Sequence, residues 1–171
     1  MKVIFLDIDG VLNCDETYVL RREKMKKEKK YILDIDEDKV QLLGRVCKET
    51  GAKIVLTSSW RFDWENGVDS LVLLHSRLLQ RLFDQNEIEV VGVTPVIPRE
   101  DGMYHSWREY EIKAYLEKHP EVESFCILDD EAFDLQSLKK YLIKTSYCRN
   151  ANNPGGLLEE HAIEIVKRLN K

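Results

Sequence analysis

Glycine, proline and long apolar runs are scarce in this sequence, and each scarcity excludes a class of protein. The chain has 171 residues with 8 glycines and 4 prolines, too few for a collagen-like or low-complexity chain. Hydrophobic residues make up 43% and charged residues 33%, the balance of a folded chain rather than of a disordered one. We therefore expect a single compact domain over residues 1–171.

The sequence also lacks the signals of disulfide formation, secretion and membrane insertion. Its four cysteines contain no CxxC motif, so neither a thiolate zinc site nor a redox pair is predicted. Asp7 and Asp9 interrupt the first apolar run well before it reaches the length of a signal-peptide core. No stretch has the roughly 20 apolar residues of a membrane span. We expect reduced thiols, a cytoplasmic location and no membrane partner.

One segment is strongly basic although the chain as a whole is acidic. The net charge is −5, yet Arg21–Lys30 contains seven basic and two acidic residues. A solvated helical arm is the simpler explanation, and a contact surface for a polyanion such as RNA is the alternative. The run lies in an insertion at about 13–38, which precedes the first amphipathic helix.

Short apolar runs alternate with segments of helical periodicity along the chain. The apolar runs predict strands at Lys2–Leu6, Ala52–Leu56, Ile88–Val93 and Ser124–Leu128. The periodic segments predict helices at Asp38–Glu49, Val68–Phe83, Trp107–Lys118 and Leu157–Leu169. This order is typical of an α/β fold with a mostly parallel sheet and helices on both faces.

Polar side chains follow three of the predicted strands. They are Asp7 and Asp9, then Thr57 and Ser58, then Asp129 and Asp130. Because parallel strands end at the same edge of a sheet, we expect these side chains to converge on one crevice. Carboxylates crowded together repel one another unless a cation lies among them, and an all-oxygen set favours Mg²⁺. The sequence therefore predicts a magnesium site at this edge.

Paired carboxylates beside a phosphate-binding hydroxyl suit phosphoryl transfer. Of Asp7 and Asp9, one can attack phosphorus and the other can exchange a proton with the leaving group. Gly10 lets the backbone turn and brings an amide N–H close to an anion. Thr57 or Ser58 would donate a hydrogen bond to a phosphate oxygen. Arg108, at the start of its predicted helix, is the expected cation that stabilises the transferred group.

Four short motifs carry a family resemblance. They are Asp7-Ile8-Asp9-Gly10-Val11 after the first strand, Thr57 after Ile54-Val55-Leu56, Arg108 opening a later helix, and Asp129-Asp130 after Ile127-Leu128. In this order they resemble the motifs of haloacid dehalogenase (HAD) superfamily phosphohydrolases. The resemblance implies a three-layer, Rossmann-like HAD fold. The insertion at about 13–38 is too short for a full cap domain, so we expect a minimal cap or none, and an open site.

A narrower resemblance covers nearly the whole chain. It is to the small HAD domains associated with "Swiss army knife" RNA repair proteins, and it rests on Leu12-Asn13, Thr57-Ser58-Ser59-Trp60-Arg61, Gly92-Val93-Thr94-Pro95, Arg108 with Glu111-Ile112, and Ile127-Leu128-Asp129-Asp130. Those domains are inferred to be phosphatases of nucleic-acid ends. The resemblance therefore implies RNA or DNA ends as phosphorylated substrates.

The HAD resemblance also implies roles for individual carboxylates. Asp7 would be the nucleophile and a Mg²⁺ ligand. Asp9 would be the general acid and base, with its backbone carbonyl at the metal. Asp129 would complete the metal shell, with Asp130 in or near it. Asp134 would either orient a site residue or cap a helix, of which the cap is the simpler interpretation.

The same resemblance implies that Thr57 binds the phosphate and that Arg108 stabilises its negative charge. Lys113, farther along the helix of Arg108, is the main rival for that cationic role. Four residues that adjoin the crevice in sequence could each stack on a base or hold a phosphate, namely Trp60, Arg61, His105 and Trp107. For Trp60 and Trp107, partial burial as packing is an equally good interpretation.

Taken together, these patterns favour a Mg²⁺-dependent phosphatase that hydrolyses phosphomonoesters through an aspartyl-phosphate, with nucleic-acid ends among its expected substrates. A phosphotransferase or mutase would use the same intermediate but another acceptor. A receiver-type signalling module has its acidic pair at the end of the first strand and its phosphorylated Asp at the end of a later one. The Asp7-Ile8-Asp9-Gly10 arrangement disfavours that class. A non-catalytic nucleic-acid binder could use Arg21–Lys30. The carboxylates after the strands argue against binding as the only function.

Overall fold

The structure is a computed structural model that describes residues 1–61, 71–97, 108–131 and 135–171, without the side chains of 71–75. Its elements are, in chain order, β1 (Lys2–Leu6), α1 (Asp15–Glu28), α2 (Glu37–Thr50), β2 (Lys53–Leu56), α3 (Leu71–Gln85), β3 (Val90–Val93), α4 (Arg108–Lys118), β4 (Ser124–Asp129), a 3₁₀ turn (Lys139–Tyr141), β5 (Leu142–Lys144) and α5 (Glu159–Leu169). Among the described residues, no helix combines the length and apolar character needed to cross a bilayer.

The strands form one parallel sheet in the order β3-β2-β1-β4-β5. The central strand β1 pairs with β2, with Leu6 opposite Leu56, and with β4, with Leu6 opposite Leu128. The carboxyl ends of these three strands therefore lie side by side. The α/β, Rossmann-like fold predicted from the alternation of apolar runs and amphipathic segments is confirmed.

Helices cover both faces of the sheet because successive side chains of a strand point to opposite sides. Ile4 and Leu6 of β1 are fully buried in one apolar cluster with residues of α2, α3 and α5, such as Leu43, Phe83 and Ile165. Val3 and Phe5 point the other way and pack in a second cluster with Ile112 and Tyr115 of α4. These two clusters make the three layers that the sequence predicts.

The edge strand β5 is absent from the sequence prediction. It has three residues, and the register places Leu142 opposite Ile127 and Lys144 opposite Asp129. A segment of this length shows no alternation of its own, so β4 rather than local pattern determines its conformation. The strand matters for the site because the N–H of Thr145 donates a 3.0 Å hydrogen bond to the carbonyl of Asp129.

The basic insertion contains helix α1, which follows β1 closely. At its start, the backbone N–H of Cys14 donates to Thr17 Oγ1 at 3.2 Å, and Lys29, with a φ of +52°, caps its C-terminal end after Glu28. Thr17 is its buried residue, while Val19 and Leu20 are exposed. Because α1 has no apolar stripe, the hydrophobic core does not require it.

Candidate active site

Three strand ends are tied together by backbone hydrogen bonds just where the polar residues begin. The N–H of Asp7 donates to the carbonyl of Leu128, and the N–H of Thr57 donates to that of Leu6, both at 2.9 Å. The parallel pairing thus continues one residue beyond β1 and β2. This continuation brings the side chains of Asp7, Thr57 and Asp129 to a common edge.

Three carboxylates meet at that edge. Asp7 and Asp129 are buried and Asp130 is half-buried, and one ligand oxygen from each lies within 4.8 Å of the others. Burial and the neighbouring charge of Asp7 raise the pKa of Asp129 to about 7, against the lowering effect of Arg108. Burial and Asp7 also raise the pKa of Asp130 to about 6. These shifts are the electrostatic cost of crowding anions in a poorly solvated place.

Arg108 supplies a positive charge at the centre of this group. Its Nη1 lies 3.1 Å from Asp7 Oδ1 and 3.1 Å from Asp129 Oδ2, and it donates a 2.9 Å hydrogen bond to Thr57 Oγ1. Lys113, the rival cation, instead pairs with Glu109 at 2.6 Å. Of the two candidates from α4, the structure therefore brings Arg108 to the strand ends.

Glu109 anchors the first turn of α4 and with it the position of Arg108. It is buried, and it accepts hydrogen bonds from Lys113 Nζ at 2.6 Å, Ser137 Oγ at 2.7 Å and the N–H of Leu138 at 3.3 Å. Burial raises the pKa of Glu109, but these hydrogen bonds outweigh it and lower the pKa to about 2. The carboxylate therefore stays charged and holds α4 beside the segment that leads into β5.

The carboxylate of Asp9 is held by three hydrogen-bond donors. Oδ1 accepts from Asn13 Nδ2 and from the hydroxyl of Tyr18, both at 2.8 Å, and Oδ2 accepts from Trp60 Nε1 at 3.1 Å. Burial and the charge of Asp9 raise the pKa of Tyr18, so this phenol remains a proton donor in the hydrogen bond. We call Asn13, Tyr18 and Trp60 the Asp9 cradle.

Sequence reasoning missed two members of the Asp9 cradle. Asn13 follows Asp9 by four residues, a spacing that could have indicated a side-chain contact across a turn. Nothing in the sequence distinguishes Tyr18 from the other tyrosines, because its contact depends on how α1 packs after β1. Trp60 was expected near the crevice, and it is half-buried with its indole N–H on Asp9.

The backbone of Gly10 makes contacts other than the expected one with a phosphate. Its φ is +73°, and a Cβ at this position would lie 2.3 Å from Asp130 Cγ, so only glycine lets Asp130 approach. Its amide N–H donates to Asn13 Oδ1 at 3.0 Å, and its carbonyl accepts from Thr145 Oγ1 at 2.6 Å. The amide predicted to face a phosphate is therefore engaged inside the loop.

Thr57 and Ser58 are both fully buried but face different neighbours. Thr57 Oγ1 contacts Arg108, on the side of Asp7 and Asp129. Ser58 Oγ instead accepts a 3.4 Å hydrogen bond from the N–H of Trp60. The structure thus places Thr57, rather than Ser58, in the group around Arg108.

Arg61 corrects the expectation that it holds a phosphate. Its side chain is buried, and Nη1 donates to the carbonyls of Thr57 at 2.7 Å and Ser58 at 3.0 Å. Nη2 forms a 2.8 Å ion pair with Glu111, which is also fully buried. The guanidinium therefore ties the loop after β2 to α4 from inside the protein. The remaining candidates, His105, Trp107 and Asp134, lie outside the described residues.

Comparison with known proteins adds one finding to this geometry. A family model described as "HAD domain in Swiss Army Knife RNA repair proteins" matches residues 3–150, which include every carboxylate of the site. No curated protein and no solved structure gave a match.

The buried Arg61–Glu111 pair predicts a large loss of stability when one partner is neutralised. Glu111→Gln leaves the guanidinium of Arg61 in the interior without its counter-charge, and we expect the free energy of unfolding to fall by about 3–5 kcal/mol. Urea denaturation followed by circular dichroism measures this change. Glu117→Gln, on the exposed side of the same helix, is the matched control and should stay within about 0.5 kcal/mol. Equal stability of both variants would show that the pair does not hold α4.

Proposed function

The chain belongs to the family of HAD domains in Swiss Army Knife RNA repair proteins, and from that premise we propose a Mg²⁺-dependent phosphohydrolase that cleaves phosphomonoesters through an aspartyl-phosphate on Asp7. The observation that carries the proposal is the position of Arg108, whose guanidinium contacts Asp7, Asp129 and Thr57 together. The nucleophile Asp7 and the hydroxyl of Thr57 thus both contact the fixed cation of Arg108, an arrangement that suits the binding of a phosphate.

The acidic residues fit a magnesium ion. Asp7, Asp129 and Asp130 offer carboxylate oxygens close enough to share one ion, and hard oxygen ligands are those that Mg²⁺ prefers. The raised pKa values of Asp129 and Asp130 favour the same assignment, because a divalent cation would relieve the repulsion that raises them. When bound, Mg²⁺ would offset the charge of the phosphate and orient it. The carbonyl of Asp9 is a further expected ligand.

In the first step, an oxygen of Asp7 attacks phosphorus, so that an Asp7 O–P bond forms as the bond from phosphorus to the leaving oxygen breaks. Arg108 and Thr57 hold the non-bridging oxygens, where negative charge is concentrated. Asp9, in its protonated form, gives its proton to the leaving oxygen.

In the second step, Asp9 acts as a base. It takes a proton from water, whose oxygen attacks the same phosphorus, so that inorganic phosphate leaves and Asp7 regains its carboxylate. The Asp9 cradle fixes the direction of this carboxylate, and its donors come from three separate segments of the chain. Orientation of the acid and base before reaction avoids an entropic cost at each step.

Nucleic-acid ends are the substrate class that we propose, because the matching family is described from RNA repair proteins. Transfer of the phosphoryl group to an acceptor other than water would use the same residues. Measurement of inorganic phosphate distinguishes the two reactions, since hydrolysis releases it and transfer does not. A suitable panel contains 3′- and 5′-phosphorylated oligonucleotides, nucleotides, sugar phosphates and a phosphopeptide.

Removal of the nucleophile should abolish turnover. Asp7→Asn keeps the shape of the side chain but loses its negative oxygen, so we expect phosphate release to fall by about 1000-fold or more. Asp84→Asn on the exposed surface of α3 is the matched control and should retain full activity. An Asp7→Asn protein that hydrolyses the same substrates at the normal rate would refute the assignment.

Metal dependence can be tested without turnover. We expect isothermal titration calorimetry to show binding of Mg²⁺ to the protein, and Asp130→Asn to weaken that binding roughly tenfold or more because one ligand charge is lost. Phosphate release should cease with a chelator and return with added Mg²⁺. Full activity in the chelator would contradict a metal-dependent reaction.

The two cations of α4 allow a paired test. Arg108→Gln removes the group that contacts Asp7 and Thr57, so we expect kcat/KM to fall by about 100-fold or more. Lys113→Gln removes a half-exposed cation that pairs with Glu109, and we expect a change of about threefold or less. Steady-state kinetics of both variants on one oligonucleotide gives the comparison. A greater loss in the Lys113 variant would exchange the two assignments.

A further inference from the structure

One face of α1 links the active site to an array of positive charge. Tyr18, which donates to Asp9, is followed on the same face by Arg22 four residues later and Lys26 eight residues later. Lys29, at the end of the helix, continues this line. All three cations are exposed. We call Arg22, Lys26 and Lys29 the basic stripe.

The cations of the basic stripe form no ion pair within the described part of the chain, where none of them has a carboxylate within 4 Å. The other basic residues of Arg21–Lys30 differ in this respect, apart from Lys27, which also has no carboxylate within 4 Å among the described residues. Arg21 donates to the carbonyl of Ile35 and lies 3.6 Å from Glu37. Lys30 forms a 2.7 Å ion pair with Glu28. Three of the four cations of Arg21–Lys30 that have no ion pair among the described residues therefore lie on the face that starts at Tyr18.

The chemistry of α1 favours a polyanion over a lipid surface. A helix that lies in a membrane interface needs an apolar face opposite its basic one. Val19 and Leu20 are exposed near the start of α1, but between Arg21 and Lys30 the single apolar residue is Met25, so no apolar face runs along the helix opposite its cations. A chain of phosphates requires no apolar partner, because release of its counterions drives binding to a row of cations.

An aromatic side chain lies at the junction of this helix and the site. Tyr147 is 37% exposed, and its ring centroid lies 6.2 Å from that of Tyr18 at an interplanar angle of 40°. Rings that are open to solvent next to a cationic track are a common arrangement for binding single strands, since bases stack on the ring while cations hold the backbone.

We propose that the basic stripe binds the phosphodiester backbone of a single-stranded nucleic acid whose phosphorylated end lies at Asp7. The direction of the strand rests on the proposed function, in which the leaving group lies against Asp9 and therefore where α1 begins. From Tyr18 to Lys29 the helix rises about 16 Å at 1.5 Å per residue. At about 3.4 Å per nucleotide, this length corresponds to about five nucleotides.

Binding can be measured without catalysis by fluorescence anisotropy, using a labelled 12-nucleotide single strand of RNA or DNA in the presence of a chelator. The stripe variant is Arg22→Gln, Lys26→Gln and Lys29→Gln, and the matched control is Lys24→Gln, Lys27→Gln and Lys30→Gln on the other faces of the same segment. We expect the stripe variant to bind roughly tenfold more weakly, and the slope of log K against log salt to become shallower by about 2. The control should change affinity by about threefold or less.

Three outcomes would overturn the proposal: equal losses in the two variants, no loss in either, or binding of the wild-type chain to anionic phosphatidylserine vesicles but not to the oligonucleotides. Tyr147→Ala should weaken oligonucleotide binding by about fivefold or more if the ring stacks on a base. An unchanged affinity would remove Tyr147 from the interface.

Chain length then connects this surface to the reaction. For the wild type, kcat/KM on 5′- and 3′-phosphorylated strands should rise with length and level off near five nucleotides, and this dependence should disappear in the stripe variant. A length dependence that survives in the stripe variant would place the strand elsewhere. Because the anisotropy measurement involves no turnover, failure of the phosphatase assay and failure of the stripe would be told apart.

Discussion

The arrangement depends on one guanidinium that lies between two buried carboxylates. Arg108 contacts Asp7 and Asp129 at 3.1 Å each, and without it these anions would face one another in a place that water hardly reaches. Because Arg108 is the first residue of α4, this contact requires the N-terminus of α4 to be fixed beside the ends of β1 and β4. Two further buried acids of the same helix provide this: Glu109 holds the segment before β5, and Glu111 holds Arg61 of the loop after β2. The polar contacts of α4 thus position the site, while Ile112 and Tyr115 attach the helix to the core.

Two electrostatic environments result at one edge of the sheet. Asp7, Asp129 and Asp130 are crowded together and gain from positive charge, which suits a metal and a phosphate. Asp9 lies two residues from Asp7 but receives three hydrogen bonds from the Asp9 cradle. Adjacent carboxylates in different surroundings can serve as nucleophile and as proton carrier. Because Tyr18 belongs to α1, the helix that carries the basic stripe also touches the proposed acid.

Much of the fold and part of the site follow from the sequence, for physical reasons that differ between residues. The strands β1, β2 and β4 can be predicted because each is a local run of apolar residues. Parallel pairing of these strands then brings Asp7, Thr57 and Asp129 together. The strand β5 was missed because three residues depend on their neighbour rather than on their own pattern. Arg61 was misread, since a polar residue beside a crevice looks the same in sequence whether it faces inward or outward. The contact of Tyr18 with Asp9 depends on where α1 packs, which no local pattern encodes.

The central claim is that Asp7 carries the phosphoryl group during turnover. The most direct measurement is rapid acid quench of the Asp9→Asn variant during reaction with an aryl phosphate, followed by peptide mapping by mass spectrometry. An aryl leaving group needs little protonation, whereas hydrolysis of the intermediate needs the missing base, so the intermediate should accumulate. The account predicts a phosphoryl group on Asp7, formed together with a burst of the phenol. A burst of the phenol with Asp7 unmodified, or with the phosphoryl group on another residue, would contradict it.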